Sequence, residues 1–328
     1  MKQLLQILFI PFLVSSCATE SELEGTWIGA YTISDSIKKP ISETTLFRFE
    51  DNQLHTITIS NQSIRELDKI SIDTTEYKLS NGKLELKSYS PSIQFSRDSM
   101  TLEFEYEKLM LRRIPENLKN LDINSGCFRG SYFIQSKYYQ DSIDFVNDSL
   151  LIYTGENHQN SPGKKWQIVD YGGFKFLNIN DVLDPVTIIK SCNSDRIDLF
   201  YLGIQNIDIK LSPTKGQIDK EQLIGEWIEI VNSNIPPPPH PNLSDEDYKR
   251  TVKVNGDSMK IKKFNRLKTH KWALTSDGKR IYFPDILLEN EGSWKLLNLT
   301  DSSMTVRMSG QSEFKKEIVR FKKEKNNP

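Results

Sequence analysis

The sequence has few of the residues that build metal, redox or catalytic centres. Its 328 residues include three cysteines and four histidines. None of the histidines, at positions 55, 158, 240 and 270, has a second His or Cys at metal-ligand spacing. The G-x-S-x-G, H-E-x-x-H and glycine-rich phosphate-loop motifs are also absent. The sequence therefore predicts a protein that is not an enzyme and that uses no metal and no cofactor.

The chain also lacks an excess of charge of either sign and a long apolar run. Lys and Arg number 43 and Asp and Glu number 44, so the net charge of −1 gives no electrostatic basis for binding nucleic acid. One apolar stretch, from Leu4 to Val14, stands near the N-terminus and is too short to cross a bilayer as a helix. Its length and the preceding Lys2 fit the apolar region of a secretory signal.

The residues "VSSC" at 14–17 resemble the lipobox of bacterial lipoproteins. The resemblance implies a lipoprotein signal peptide over 1–16, cleavage before Cys17, and an acylated cysteine with a short tether over 17–22. Acyl chains on Cys17 would anchor the protein to a lipid membrane, since each buried methylene contributes about 0.8 kcal/mol. Ala18 after the cysteine looks more like outer-membrane sorting than inner-membrane retention, and the Asn-, Ile-, Lys- and Ser-rich composition resembles that of Bacteroidetes lipoproteins of the cell envelope.

A glycine followed two places later by an aromatic residue recurs at intervals of about a hundred residues, as "GTW" at 25–27, "GCF" at 126–128 and "GEW" at 225–227. Hairpin signals follow each copy in the same order, and the strongest are "NG" at 81–82, "GG" at 172–173 and "DG" at 277–278. Apolar and polar residues alternate between the turns, as in strands with one buried face. We therefore predict an all-β protein of three consecutive antiparallel units, over 23–114, 123–212 and 222–325.

These features resemble the lipocalin-like up-and-down β-barrels, in which a first strand with G-x-W is followed by hairpins and a basic residue in the last strand. The resemblance implies that the aromatic side chain packs across the closed end of each barrel against that cation. The implied pairs are Trp27 with Arg112, Phe128 with Lys210, and Trp227 with Arg320. Arg113 is an alternative partner for Trp27, because a slip of one residue reverses the face of a strand. The mature chain thus resembles a Bacteroidetes-type lipoprotein with three tandem lipocalin-like domains.

The two remaining cysteines, Cys127 and Cys192, fall in the same predicted unit. In an oxidising compartment they could persist as a disulfide. Buried free thiols are the other interpretation, and a metal site is disfavoured because too few ligands accompany them.

The loop after the first strand of the third unit contains an unusual run, Pro236, Pro237, Pro238, Pro239 and His240. Consecutive prolines favour a stiff polyproline II segment. Such a segment could act as a lid over the barrel mouth, as a ligand for a partner's aromatic groove, or as a rigid surface crossing. Beyond it, residues 242–250 predict one or two helical turns with Ser244 as the N-cap and Asp247 three residues on.

The sequence supports two functions of different class. The first is a membrane-anchored, non-catalytic lipoprotein that binds a small hydrophobic or amphipathic ligand in one or more barrels. The second is a structural or accessory interaction protein of the outer membrane, with solidly packed barrels and an envelope protein as its partner. An apolar pocket of about 300 to 1,000 Å3 that opens at one end of a barrel favours the first function.

Overall fold

A computed structural model of the chain describes residues 20–41, 44–59, 70–123, 125–155, 163–179, 186–216, 218–231, 244–289, 292–308 and 317–324. The strands form three antiparallel sheets, over 25–113, 130–213 and 225–323. This confirms the predicted all-β fold of three consecutive lipocalin-like up-and-down barrels. The first barrel is a compact unit of its own, and the second and third barrels belong to one further unit. The signal peptide and Cys17 lie outside the described residues.

The first barrel opens with a single helical turn, α1 (Glu20–Leu23), and continues as nine strands. The strands are β1 (Gly25–Ser34), β2 (Ile37–Pro40), β3 (Thr44–Glu50), β4 (Gln53–Ile59), β5 (Ile70–Ser80), β6 (Lys83–Leu86), β7 (Ser92–Ser96), β8 (Ser99–Glu103) and β9 (Lys108–Arg113). Strands β2 and β3 pair in succession with the same side of β1, and β9 pairs with its other side. Pairing of the first strand with the last closes the sheet, so that no free edge is left between them.

The second barrel is preceded by two short 3-10 helices, Glu116–Leu118 and Ser125–Cys127. Its strands are β10 (Gly130–Ser136), β11 (Gln140–Phe145), β12 (Leu150–Tyr153), β13 (Lys164–Tyr171), β14 (Phe174–Ile179), β15 (Thr187–Cys192), β16 (Ile197–Leu202) and β17 (Asn206–Pro213). They pair in chain order and close into a barrel through β10 and β17. Leu121 and Ile123, from the connection between β9 and β10, pack on its core, so this connection contributes to the second barrel.

The third barrel opens with a helical turn, α2 (Lys220–Leu223), and includes a 3-10 helix, Asp245–Tyr248. Its strands are β18 (Gly225–Glu229), β19 (Thr251–Val254), β20 (Ser258–Lys263), β21 (Arg266–Lys271), β22 (Ala273–Leu274), β23 (Arg280–Tyr282), β24 (Ser293–Leu299), β25 (Ser303–Met308) and β26 (Glu317–Lys323). Strand β18 pairs with both β19 and β26. Strands β21 and β22, at the two ends of the sheet order, are separated in the chain by Trp272 alone, so the barrel is nearly closed.

The hairpin predictions hold in two of the three barrels. Asn81 and Gly82 both have positive φ, of 50° and 71°, and join β5 to β6, as a type I′ turn requires. Gly172 and Gly173 do the same between β13 and β14. The third "DG" pair does not form a two-residue turn, because five residues separate β22 from β23 and Asp277 has another role.

Asp277 belongs to a buried polar network between the second and third barrels. Thr154 Oγ1 donates a hydrogen bond of 2.7 Å to Asp277 Oδ2, and the Asp277 backbone N–H donates one of 2.9 Å to Ser131 Oγ. Ser131 Oγ also donates to Asp144 Oδ2, which accepts a further bond of 2.7 Å from the backbone N–H of Ser276. Because these groups are satisfied across the contact, the network fixes the register of one barrel against the other.

An apolar contact and the linker between β17 and α2 add to the same interface. Ile152 of the second barrel packs with Tyr282 and Leu287 of the third. Within the linker, the backbone N–H of Thr214 bonds to Ser131 and that of Gly216 bonds to Ser276. The second and third barrels are therefore held by backbone, polar and apolar contacts together.

In the described ranges, the structure contains no helix with the length and apolarity needed to cross a bilayer.

Candidate binding site

The closed end of the first barrel is built around Trp27, which is fully buried. Its indole N–H donates a hydrogen bond of 2.8 Å to the carbonyl of Leu23 in α1. The cation over its ring is that of Arg113, whose guanidinium carbon lies 4.3 Å from the ring centroid. The predicted partner Arg112 is therefore wrong and the alternative Arg113 is right: Arg113 shares its strand face with buried Leu111, whereas Arg112 points to the other face.

The closed end of the third barrel repeats this construction. Trp227 is fully buried, and its indole N–H donates a hydrogen bond of 2.8 Å to the carbonyl of Leu223 in α2. The cation is Lys323, with its Nζ 5.0 Å from the Trp227 ring centroid. The predicted partner Arg320 is wrong, because Lys323 shares the inward face of β26 with buried Phe321 and Arg320 lies on the exposed face.

The second barrel follows a different alignment from the predicted one. Its first strand begins at Gly130, whose φ of 82° corresponds to the positive φ of Gly25 and Gly225 at the start of the other two barrels. The residue in the place of Trp27 is therefore Tyr132, whose hydroxyl donates a hydrogen bond of 2.8 Å to the carbonyl of Cys127.

Phe128 is fully buried but precedes the first strand of the second barrel. It packs with Phe145 and Trp166, at centroid distances of 5.1 and 5.3 Å. The predicted pair with Lys210 does not form: Lys210 is exposed in mid-strand opposite Gln135. The place of the cation, opposite Tyr132, is taken by Pro213, so an aromatic cluster closes this barrel without a basic side chain.

Cys127 and Cys192 are both free in the structure and half-buried beside the core of the second barrel. They lie close enough for their thiols to hydrogen-bond, and burial raises the pKa of Cys192 far above its ordinary value. The predicted proximity is thus present, and the disulfide itself stays a prediction.

A pocket of about 460 Å3 lies at the open end of the third barrel, opposite the end closed by Trp227. The lining combines the mouth-side ends of five strands with residues that follow β23, and it merges with the core on its inner side. That inner wall is apolar: Phe283, Trp294 and Met308 are buried, and the Phe283 and Trp294 rings meet edge to face at 5.2 Å. Ile261, Phe264 and Ile286 complete the apolar lining.

The remaining lining residues of this pocket are ionisable, and most of them are basic. In the part of the chain that the structure describes they are Arg250, Lys263, Arg266, Lys268, His270 and Glu317. Three of the bases occupy alternate positions of β21, which places them on its inward face. The pairing of β21 with β20 confirms that this face of β21 is directed toward the barrel interior. Lys268 lies opposite Ile261, and His270 lies opposite Met259, a core residue.

Two of these lining residues, Arg250 and Glu317, form an ion pair. Arg250 is 9% exposed, and its Nη2 lies 3.1 Å from Glu317 Oε2. The other carboxylate oxygen of Glu317 lies 3.7 Å from Lys263 Nζ. Burial raises the pKa of the Glu317 carboxyl, but the charges of Arg250 and Lys263 outweigh that effect, and the pKa is lowered overall. Glu317 is therefore an anion at neutral pH, held between two cations.

The other barrel interiors differ from this one. The core of the second barrel is filled by side chains such as Phe145, Trp166 and Leu199. The first barrel carries a groove of about 940 Å3, lined by acidic and basic side chains of β5 and β6 with exposed Tyr89 at one edge. Leu54, Tyr77 and Leu86 give that groove an apolar part, but polar and charged side chains make up most of its lining. Among the described residues, no group of His, Cys, Asp and Glu could hold a metal ion.

The segment that precedes β19 is partly described. The predicted helical turn is confirmed as the 3-10 helix Asp245–Tyr248, with the backbone N–H and hydroxyl of Ser244 both donating to Asp247 Oδ2. Those bonds lower the pKa of the exposed Asp247 carboxyl. Tyr248 stacks edge to face on Phe264 beside the pocket, at 5.6 Å. The proline run at 236–239 and His240 lie outside the described residues.

Sequence reasoning did not identify the basic pocket. Its residues are scattered over β20, β21 and β26, with Arg250 just before β19, and "KIKKFNRLKTHK" at 260–271 looks like a solvent-exposed hairpin. A usable signal was nevertheless present, because a strand with bases at 266, 268 and 270 and a Trp at 272 has all four on one face. Burial of Trp272 then directs the three bases inward.

No protein-family model matches the chain, and no curated protein matches it in sequence. Among solved structures it is similar to a transferrin binding protein B double mutant from Haemophilus parasuis, at 11% identity and a TM-score of 0.17, over 91% of this chain and 75% of that one. It is also similar to the DNA polymerase III beta chain of Streptococcus pneumoniae, at 9% identity and a TM-score of 0.18, over 94% of this chain and 93% of that one. TM-scores this low establish neither fold nor function for this chain.

Proposed function

We propose that the protein is a membrane-anchored, non-catalytic lipoprotein that binds a small amphipathic molecule in its third barrel. The observation that carries the proposal is the pocket of about 460 Å3 at the open end of that barrel. This volume lies within the range of about 300 to 1,000 Å3 that small-molecule sites occupy. An apolar inner wall below a charged rim offers each part of an amphipathic molecule a matching surface.

The anchoring half of the proposal depends on the lipobox resemblance at Cys17. Two or more acyl chains would make membrane attachment stable. Mass spectrometry of the N-terminal peptide of the protein from the host cell envelope tests this. We expect a cleaved chain that starts at an acylated Cys17, and a Cys17→Ser chain that leaves the membrane fraction. An unmodified Cys17 within an uncleaved chain would overturn the anchoring.

The second candidate function is an accessory interaction protein, and the filled core of the second barrel favours it. In that case the barrels would serve as a spacer and an envelope protein would be the partner. The pocket of the third barrel distinguishes the two functions, because a spacer has no need of a pocket.

A binding experiment with matched variants tests the pocket. We would use a chain that starts at Ala18, which keeps every described residue, and the dye N-phenyl-1-naphthylamine, which fluoresces when it leaves water. Ile261→Trp adds an aromatic ring to the pocket wall, whereas Leu267→Trp adds one to the outer face of the neighbouring strand, where Leu267 is 63% exposed. We expect the unmodified chain and Leu267→Trp to bind the dye and Ile261→Trp to lose most of the binding while circular dichroism stays unchanged. No dye binding by the unmodified chain, or equal binding by all three, would overturn the proposal.

A further inference from the structure

We infer that the ligand of the third barrel is an amphipathic anion, and that its charged head takes the place of the Glu317 carboxylate between Arg250 and Lys263. The inference rests on the proposed function, since it specifies the class of molecule that the same pocket holds. The chemistry that it requires is one carboxylate or phosphate head on an apolar body.

The first argument is the sign of the charge at the mouth of the barrel. Four of the lining side chains, Arg250, Lys263, Arg266 and Lys268, are positive at neutral pH, and within the described lining Glu317 alone is negative. Arg266 and Lys268 are solvent-exposed at the mouth, Lys263 is partly buried and Arg250 is buried, so the positive charge extends from the surface into the pocket. Like charges collected at one mouth repel each other, so an incoming anion lowers the free energy of the whole rim.

The second argument is the state of the Arg250 guanidinium, which is nine-tenths buried. Its Nη2 donates to Glu317 Oε2 at 3.1 Å, and its Nη1 lies 3.1 Å from the sulfur of Met308. A thioether is a weak acceptor, and a guanidinium has five N–H donors in a planar fork that suits the two oxygens of a carboxylate or phosphate. The side chain can therefore accept a second anion or exchange the one it has.

The third argument is that the Glu317 carboxylate already occupies the position proposed for the charged head of the ligand. Its two carboxylate oxygens contact different cations, Arg250 at 3.1 Å and Lys263 at 3.7 Å. The side chain of Glu317 is 49% exposed, so it can leave into solvent without unpacking the core. Beneath this pair, buried Trp294 and Met308 line the inner wall where the apolar part of the ligand would lie.

Displacement of the dye by a matched set of twelve-carbon amphiphiles, below their micelle concentrations, tests the inference. The set is dodecanoate, dodecyl phosphate, dodecanol and dodecyltrimethylammonium. We expect the two anions to displace the dye at roughly tenfold or more lower concentration than dodecanol, as one lost charge-assisted bond would predict, and the cation to be the weakest. The stronger of the two anions then shows whether a fatty-acid-like or a phospholipid-like head is the better ligand.

Two variants separate a ligand site from a structural ion pair. Glu317→Gln removes the internal competitor, so we expect it to tighten dodecanoate binding several-fold and to leave dodecanol unchanged. Lys263→Met should weaken dodecanoate by about tenfold and again leave dodecanol unchanged. Equal binding of dodecanol and dodecanoate, or a Glu317→Gln variant that binds dodecanoate no better, would overturn the anion assignment while the proposed function stands. Failure of the dye itself to bind would instead overturn the proposed function.

Discussion

Arg113 and Trp27 join the two ends of the first barrel's sheet at its closed end. The guanidinium carbon lies 4.3 Å from the Trp27 ring centroid, and the two residues are direct register partners on β9 and β1. The same guanidinium donates hydrogen bonds to the backbone carbonyls of Glu22 and Glu24. One side chain thus fixes the last strand, the first strand and the helical turn α1 against each other.

Arg113→Ala should therefore destabilise the first barrel. The cation–π contact and the bonds to two carbonyls together predict a loss of about 1 to 3 kcal/mol in the free energy of unfolding. Trp27→Ala should cost more, about 3 to 5 kcal/mol, because it leaves a cavity in the core. Urea denaturation, with hydrogen exchange at β1 and β9 as the local readout, measures both. Arg112→Ala is the matched control, and a loss there as large as that of Arg113→Ala would contradict the assignment.

The contrast between these two arginines shows what the sequence could determine. The triplication, the closed barrels and an aromatic residue at each closed end follow from motif order and alternation. The sequence does not determine which of the two arginines faces the core, because that choice depends on a β-bulge. The register between β1 and β9 shifts between Gly29 and Tyr31. The same limit applies to Leu267 and the bases of β21, because alternation allows either set to face inward and the burial of Trp272 decides it.

Tyr132 is the second barrel's counterpart of Trp27, although the sequence pattern pointed to Phe128. Tyr132→Phe keeps the ring and removes the bond of 2.8 Å from its hydroxyl to the Cys127 carbonyl. We expect a loss of about 1 kcal/mol in unfolding free energy, the usual net value of one hydrogen bond. Phe128→Ala should cost about 3 to 5 kcal/mol as a core truncation. Guanidinium unfolding curves test the pair, and a neutral Phe128→Ala would show that Phe128 lies outside the core.

The neighbouring thiols of Cys127 and Cys192 predict a disulfide that forms without rearrangement of the barrel. Burial raises the Cys192 pKa, so the thiol stays protonated at neutral pH and should react slowly without a catalyst of oxidation. Once formed, the bond should stabilise the second barrel by about 2 to 4 kcal/mol. Non-reducing peptide mapping of protein from the host envelope, compared with protein treated with a disulfide oxidoreductase, measures both states. Thiols that remain alkylatable after enzymatic oxidation would contradict the prediction.

The interface between the second and third barrels should respond to pH through Asp144. Burial raises the pKa of this carboxyl, the nearby charge of Asp277 raises it further, and bonds from Ser131 and Ser276 offset these effects only in part. Burial and the Asp144 charge likewise raise the pKa of Tyr282, to about 12. Asp144 therefore takes up a proton at a higher pH than an ordinary aspartate does.

Proton linkage gives the direction in which the stability changes with pH. A folded-state pKa above the unfolded value of about 3.8 means that the folded protein binds more protons between the two values. The contribution of Asp144 to stability is therefore fully present below the unfolded pKa, and it is lost as the pH rises through the folded pKa. Through Asp144, the unit formed by the two barrels should gain stability as the pH falls through the folded pKa toward the unfolded value of about 3.8.

Asp144→Asn isolates this effect, because an amide oxygen can still accept the bonds from Ser131 and the Ser276 backbone. We expect the variant to be at least as stable as the unmodified protein at pH 8 and to gain less on acidification. Melting temperatures between pH 5 and 8 measure the difference. Asp208→Asn, which removes an exposed carboxylate paired with Lys190 at 2.9 Å, should keep the original pH dependence. If Asp144→Asn and Asp208→Asn gave the same pH profile as the unmodified protein, the buried network would not be the origin of the pH response.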